Sequence, residues 1–270
     1  MAPARALRAG DAAPPGLRDN GAARSSRNRP DRAVTDTPAA STPIVDDELD
    51  LLATLLPLDG LQIIELGCGA AQLARALLQR HPASRVTGLE IDERQMAKNL
   101  AAPQEGLQFV AAPAQAVPLG DAGFDLALML KSLHHVPLPL MGRALAEAAR
   151  VLRPGGHLYV SEPVYDGPFN DIVKLYNDEG VVRAAAQAAL DEALRDGPWQ
   201  PAAERRFVMP VHFADFDTFE RRMMRPTFAD HRIDDAKRAQ VRAAFVPHCG
   251  PDGAHFLRPM HVRLLRRMAD

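Results

Sequence analysis

Cysteine is nearly absent from this 270-residue chain. Cys68 and Cys249 stand outside any CxxC or Cys/His cluster, which leaves no disulfide framework and no zinc-finger spacing. Aromatic residues make up 5% of the chain, too few to suggest a base-stacking platform, so the Arg pairs at 205-206, 221-222 and 266-267 read as exposed faces. Charge of one sign is lacking too. Lys and Arg total 32 against 34 Asp and Glu, so no positive field draws the chain onto nucleic acid or anionic lipid. No apolar run approaches the roughly 20 residues that span a bilayer, and the start has no compact apolar segment of the secretory kind. These absences point to a protein of the reducing cytoplasm whose partner is a small molecule, with no metal.

What is present is a core: 47% of the residues are hydrophobic. Residues 1–43 contribute almost nothing to it. They are Ala, Pro, Arg, Ser and Asp, a composition that cannot offset the entropy of ordering, and are predicted to form a disordered tail. The Asp residues at 11, 19, 31 and 36 argue against a transit peptide. One domain is predicted over 44–270.

Asp46-Asp47-Glu48 ahead of Leu49, Leu51 and Leu52 marks a helix start. Strands are predicted over 61–66, 85–91, 107–111, 124–130 and 157–161, and helices over 70–79, 92–101 and 137–152. The last helix is stopped by Arg153-Pro154-Gly155-Gly156. Strict alternation implies βαβ crossovers, a mostly parallel sheet and helices on both faces. Past Pro163 the rhythm breaks: one long or two shorter helices over 168–196, a strand over 206–213, helices over 216–224 and 234–245, and a last strand over 256–265.

Chemistry concentrates at the carboxyl ends of the strands, where such sheets bind ligands. Glu65-Leu66-Gly67-Cys68-Gly69 sits between a strand and a helix, where glycine permits close approach of backbone to a ligand. The dinucleotide fingerprint requires Gly or Ala at position 72, which is Gln. Glu90 closes the second strand, placed to accept both hydroxyls of a ribose. Cys68, between two glycines, reads as a small packing residue.

These residues, together with Phe124-Asp125, Leu133-His134-His135 and Leu152-Arg153-Pro154-Gly155-Gly156, resemble a class I S-adenosylmethionine-dependent methyltransferase of the small-molecule group. The resemblance covers residues 61 to about 163. It implies a Rossmann-like, doubly wound, mostly parallel seven-stranded sheet, with segments 163–205 and 214–250 as helical lid or pocket insertions, and S-adenosylmethionine as cofactor. It further implies that Gly67, Cys68 and Gly69 pack beside the methionine portion, supported by Glu65. Glu90, with Ile91 beside it, takes the ribose, while Leu130, Lys131 and Ser132 border the sulfonium. Two positions depart from the family: Ala71 stands where Gly is common, and Pro113 where an Asp often accepts the adenine amino group. Adenine then falls to the Ala114 N–H and the Gln115 side chain.

Lys131 reads as a solvated loop residue. In-line displacement needs positioning more than proton transfer. Where a base is needed, His134 or His135 is the first candidate and Glu162 the second. Tyr165, Tyr176, Trp199, His212 and Phe213 are candidates to line the acceptor pocket. A tRNA or protein acceptor, or a non-enzymatic cofactor-binding protein, are the alternative readings.

Overall fold

Asp47 closes the first turn of the first helix. Its carboxylate accepts the Leu49 N–H at 2.9 Å, pairing one of the donors that a helix start leaves free. Helix α1 (Glu48–Leu55) then buries Leu49 and Leu52. The structure, a computed structural model, describes residues 42–226 and 231–269. The tail predicted over 1–43 lies, up to residue 41, outside the described residues.

Five strands follow in alternation with helices: β1 (Gln62–Leu66), α2 (Gln72–Arg80), β2 (Arg85–Leu89), α3 (Glu93–Leu100), β3 (Leu107–Val110), β4 (Phe124–Leu130), α4 (Met141–Val151) and β5 (Leu152–Pro163). The apolar runs of β1 and β4 are buried along almost their whole length, as strands covered on both faces require. Beyond β5 come α5 (Pro168–Val173), α6 (Gly180–Asp196), β6 (Trp199–Phe213), α7 (Phe216–Phe219), α8 (Asp235–Phe245), β7 (Cys249–Gly250) and β8 (Gly253–Arg267).

The sheet order is β3-β2-β1-β4-β5-β8-β6, with β7 paired to β8. Strands β1 to β5 are parallel to one another, and β8 runs antiparallel to both β5 and β6. The fold is the predicted Rossmann-like α/β sheet, with eight strands rather than seven. The extra one is the two-residue β7, too short to leave a pattern in the sequence. Strand order reverses between β1 and β4, where ligands of open α/β sheets bind.

Apolar side chains pack on both faces. On one, Leu145 and Ala148 of α4 meet Ala186 and Leu190 of α6. On the other, Leu49 and Leu52 of α1 and Leu77 of α2 meet Ile63, Tyr159 and Val262. A third cluster gathers Phe169, Phe213, Phe216, Phe219, Phe245 and Phe256.

The sequence reading needs correction past Pro163. Of the two readings of 168–196 the structure takes the second, two helices, of which α6 packs against α4 on the sheet. The segment 163–205 stops being an insertion at Trp199, where β6 begins seven residues before the predicted strand. Phe213 sits in the phenylalanine cluster, and Trp199 is 2% exposed in the core beneath α6. Trp199 pairs with Arg267 at the amino end of the parallel strands, remote from their carboxyl ends. Neither side chain lines a pocket. No described helix is long and apolar enough to cross a membrane.

Candidate active site

The loop after β1 is tied to the end of β2 from both sides. The N–H groups of Gly67 and Cys68 donate to the Leu89 carbonyl at 3.1 and 2.8 Å. Gly67 holds φ at +80°, and a Cβ there would stand 2.9 Å from Ser132 Cβ, so the position is closed to a side chain by conformation and by space. Ser132 in turn donates to the Leu66 carbonyl at 2.7 Å. Gly69, at φ +51°, faces open space, and its carbonyl accepts from Asn99 Nδ2 at 2.8 Å.

Glu90 meets this loop directly. Its Oε2 accepts the Gly69 N–H at 2.8 Å, and its Oε1 accepts the N–H groups of Ile91 and Asp92, each at 2.8 Å. Beside it Ile91 is 68% exposed, a large apolar side chain held at the surface next to the loop. The half-buried Pro113 and Gln115 and the buried Ala114 follow β3, the neighbour of β2, so they border the same end of the sheet. Cys68 turns the other way. Its thiol fills the space a Cβ on Gly88 would need, at 2.8 Å, and burial pushes its pKa far above the usual thiol range. It packs, and only its backbone belongs to the loop.

Next to the loop lies a buried polar cluster. Glu65 is buried and its Oε2 has no hydrogen-bond partner. Burial raises its pKa to about 8, opposed by Lys131 and reinforced by Glu48 and Glu90. Lys131 occupies the left-handed region at φ +56°, and its Nζ meets Glu48 Oε2 at 3.2 Å. Glu48 Oε1 also accepts from Tyr159 Oη at 3.2 Å. The sequence reading of Lys131 as solvated is thus corrected: buried Glu48, 83 residues away, needs a cation.

The histidines divide. His134 is 3% exposed; its Nδ1 hydrogen-bonds Glu162 Oε2 and its Nε2 lies 3.8 Å from Glu179 Oε2. Glu162 Oε1 accepts the Leu133 N–H at 3.0 Å. Both oxygens of Glu162 are thereby engaged, and so is Nδ1 of His134, while Nε2 stands near Glu179 beyond hydrogen-bond distance. His134 and Glu162 are thus buried side chains bonded to each other. Glu179 is held in turn by Arg183 Nη2 at 2.5 Å and Asn177 Nδ2 at 2.9 Å. His135 reaches solvent. Its ring lies tilted against that of His134, 4.1 Å between centroids, and desolvation, with His134 beside it, draws its pKa down to about 4. It is neutral at neutral pH.

His134, His135 and Glu179 also offer nitrogen and oxygen atoms within 4.8 Å of one another, a set able to share a metal ion. Within that set Glu179 is already paired with the Arg183 guanidinium.

The remaining pocket candidates scatter. Tyr165 donates to Asp178 at 2.8 Å, Tyr176 to the Met223 carbonyl at 3.3 Å, and His212 Nε2 lies 2.7 Å from the Asp252 carbonyl. Sequence reasoning missed Glu48, Glu179, Arg183 and Arg258. The Glu179–Arg183 spacing is an i,i+4 pair that a charge-pattern search would have flagged.

Residues 64–160 match the family model described as a methyltransferase domain. Over 119 residues the chain is 35% identical to 27-O-demethylrifamycin SV methyltransferase of Amycolatopsis mediterranei, covering 42% of this chain and 43% of that protein. Over 113 residues it is 40% identical to phthiotriol/phenolphthiotriol dimycocerosates methyltransferase of Mycobacterium leprae, covering 39% of each. The alignments thus span less than half the length of these relatives. Among solved structures, the YcgJ protein of Bacillus subtilis superposes with a TM-score of 0.57 at 16% identity, over 82% of this chain and 98% of that one, a likeness of fold.

Proposed function

This chain carries a class I S-adenosylmethionine-dependent methyltransferase domain, and we propose that it methylates an oxygen, nitrogen, sulfur or carbon of a small-molecule acceptor by direct in-line displacement. The observation that carries the reading is the 2.8 Å bond from the Gly69 N–H to Glu90 Oε2. It joins the glycine loop after β1 to the carboxylate that ends β2, the group this reading assigns to the ribose, at the carboxyl ends of the strands. The relatives' names, rifamycin and phthiotriol methyltransferases, support a small-molecule acceptor.

The residues present fit the cofactor. S-adenosylmethionine supplies a methyl group on a sulfonium, which is its own leaving group. Glu65 Oε2, buried without a partner, is matched to an ammonium. Glu90 accepts three N–H bonds out of the four or so a carboxylate can take, which leaves capacity for a ribose hydroxyl. Ile91 offers an apolar face to a purine at the position beside it, and the Ala114 backbone and Gln115 lie where the adenine edge would fall. Leu130, Lys131 and Ser132, at the end of β4, border the reacting centre, and Glu48 holds Lys131 in place.

Catalysis on this reading is positioning and exclusion of water. His134 and Glu162 act as positioning residues, because together they hold the 131–135 turn through the Leu133 N–H. His135, neutral and solvent-facing, is the histidine presented to an acceptor and takes its proton where one must leave. The segments carrying α5 and α7 to α8 shape the acceptor side of the cleft.

The test is calorimetric titration of S-adenosylmethionine into the full chain. It is coupled to release of S-adenosylhomocysteine in the presence of small hydroxy, amino, thiol and carbon-acid acceptors, with tRNA and protein as further arms. Micromolar cofactor binding with turnover on a small acceptor is the expected result. Absence of cofactor binding overturns the domain's role, binding without transfer to any arm makes it a cofactor-binding protein, and transfer confined to tRNA or protein moves the acceptor.

A further inference from the structure

Arg258 is an arginine with nothing to hold. It lies on β8, two residues before the pairing of Met260 with Pro163, so it stands just past the carboxyl end of β5. It is half-buried. The other arginines withdrawn from solvent among the described residues make hydrogen bonds or ion pairs, such as Arg150 with Glu147, Arg183 with Glu179, Arg238 with Glu220 and Arg263 with Asp191. Arg258 has neither. Its guanidinium carbon lies over the Phe169 ring, 5.6 Å from the centroid, a contact that leaves its N–H groups unsatisfied.

Its surroundings explain why the fork stays free. Burial and Arg183 lower its pKa to about 10, opposed by Glu179, Glu162 and Glu48, so it is charged at neutral pH. Each of those three carboxylates is engaged elsewhere, Glu179 by Arg183, Glu162 by His134 and the Leu133 N–H, and Glu48 by Lys131 and Tyr159. The same neighbours place Arg258 on the histidine side of the cleft, where an acceptor would approach.

We infer that Arg258, backed by Phe169, binds a planar anionic group, a carboxylate, on the methyl acceptor. A guanidinium presents parallel N–H donors that match both oxygens of a carboxylate, and an aromatic wall favours an acceptor whose acid is attached to a flat apolar body. The inference rests on the methyltransferase reading and deepens it by naming the acceptor's class: an acid rather than a neutral molecule or an amine.

The test uses benzoate and its neutral counterpart benzamide, each titrated by calorimetry into the full chain loaded with S-adenosylhomocysteine. Benzoate is expected to bind about 10- to 100-fold more tightly than benzamide, the range for a charge-assisted hydrogen-bonded pair. Arg258→Met removes that preference, Arg258→Lys restores part of it, and both keep the parent affinity for S-adenosylhomocysteine, which also certifies that they fold. Equal binding of benzoate and benzamide to the parent, or a preference that survives in Arg258→Met, overturns the inference. So does a loss of S-adenosylhomocysteine affinity that spares decarboxylated S-adenosylmethionine, since the arginine would then serve the cofactor's own carboxylate. Failure of the parent to bind S-adenosylhomocysteine at all is a separate result and falls on the methyltransferase reading.

Discussion

Glu90 Oε2 accepts the Gly69 N–H at 2.8 Å across 21 residues of sequence, so one carboxylate orders the glycine loop and, on the proposed reading, also takes the ribose. Glu90→Ala is expected to weaken S-adenosylmethionine binding by about 1–3 kcal/mol, the scale of lost bonds to a charged group. It should also speed amide exchange at Gly69, Ile91 and Asp92, whose N–H groups lose their acceptor. Calorimetry and hydrogen exchange read the two effects separately. Unchanged affinity in this variant would remove Glu90 from the cofactor site.

Gly67 is constrained twice. Any L residue there must adopt the left-handed region, which costs roughly 1–2 kcal/mol, and its Cβ would press on Ser132 Cβ at 2.9 Å. Gly67→Val is expected to abolish cofactor binding and lower the melting temperature. Gly67→Ala should be milder, and adding Ser132→Gly should recover the steric part of its loss while leaving the conformational part. Thermal melts and cofactor titrations of the single and double variants distinguish the two contributions; no recovery in the double variant would mean that Ser132 is not what the new methyl meets.

The first five strands were legible because β1, β4 and β5 are apolar runs bounded by Gly, Pro and Asp, and because the glycine loop and Glu90 are local features. What was hidden depends on distance in sequence. Glu48 read only as a helix start, and nothing near it announced Lys131, 83 residues on, or Tyr159. Trp199 reads as a pocket candidate by type and placement, and the sheet takes it instead: after it β6 continues with Gln200, Pro201 and Ala202, exposed residues with no alternating apolar face. His134 and Glu162 are 28 residues apart in sequence, and nothing local announces that the ring of one would bond the carboxylate of the other.

Glu65 gives the cleft a pH dependence. Its pKa is raised from 4.5 to about 8 by burial, so the folded chain binds a proton that the unfolded chain releases between those values. The stability this contributes is complete below about pH 4.5 and is lost as pH rises through 8. Glu65→Gln, neutral throughout, should flatten that decline in denaturant melts across pH 5 to 9. An ammonium brought against Glu65 favours the carboxylate, so cofactor binding near pH 7 should release a proton, seen as a dependence of the calorimetric enthalpy on buffer ionisation heat. The Gln variant should bind more weakly and release none. Proton release that persists in Glu65→Gln would assign the titrating group elsewhere.

The two histidines should separate by what their loss damages. Removing His134 leaves the buried Glu162 Oε2 without its partner, and removing Glu162 strips both His134 Nδ1 and the Leu133 N–H. An orphaned buried polar group costs about 1–3 kcal/mol, more when charged. His134→Ala and Glu162→Ala are therefore expected to melt well below the parent. His135→Ala, at a residue that reaches solvent, should melt close to it and lose turnover on acceptors that must shed a proton. Because desolvation and its neighbour His134 hold the His135 pKa near 4, the parent's turnover on such acceptors should show no histidine titration between pH 6 and 8. A step near pH 6.5 that disappears in His135→Ala would show that the ring titrates as a free imidazole, and a His134→Ala variant that melts like the parent while losing all turnover would return His134 to the catalytic role.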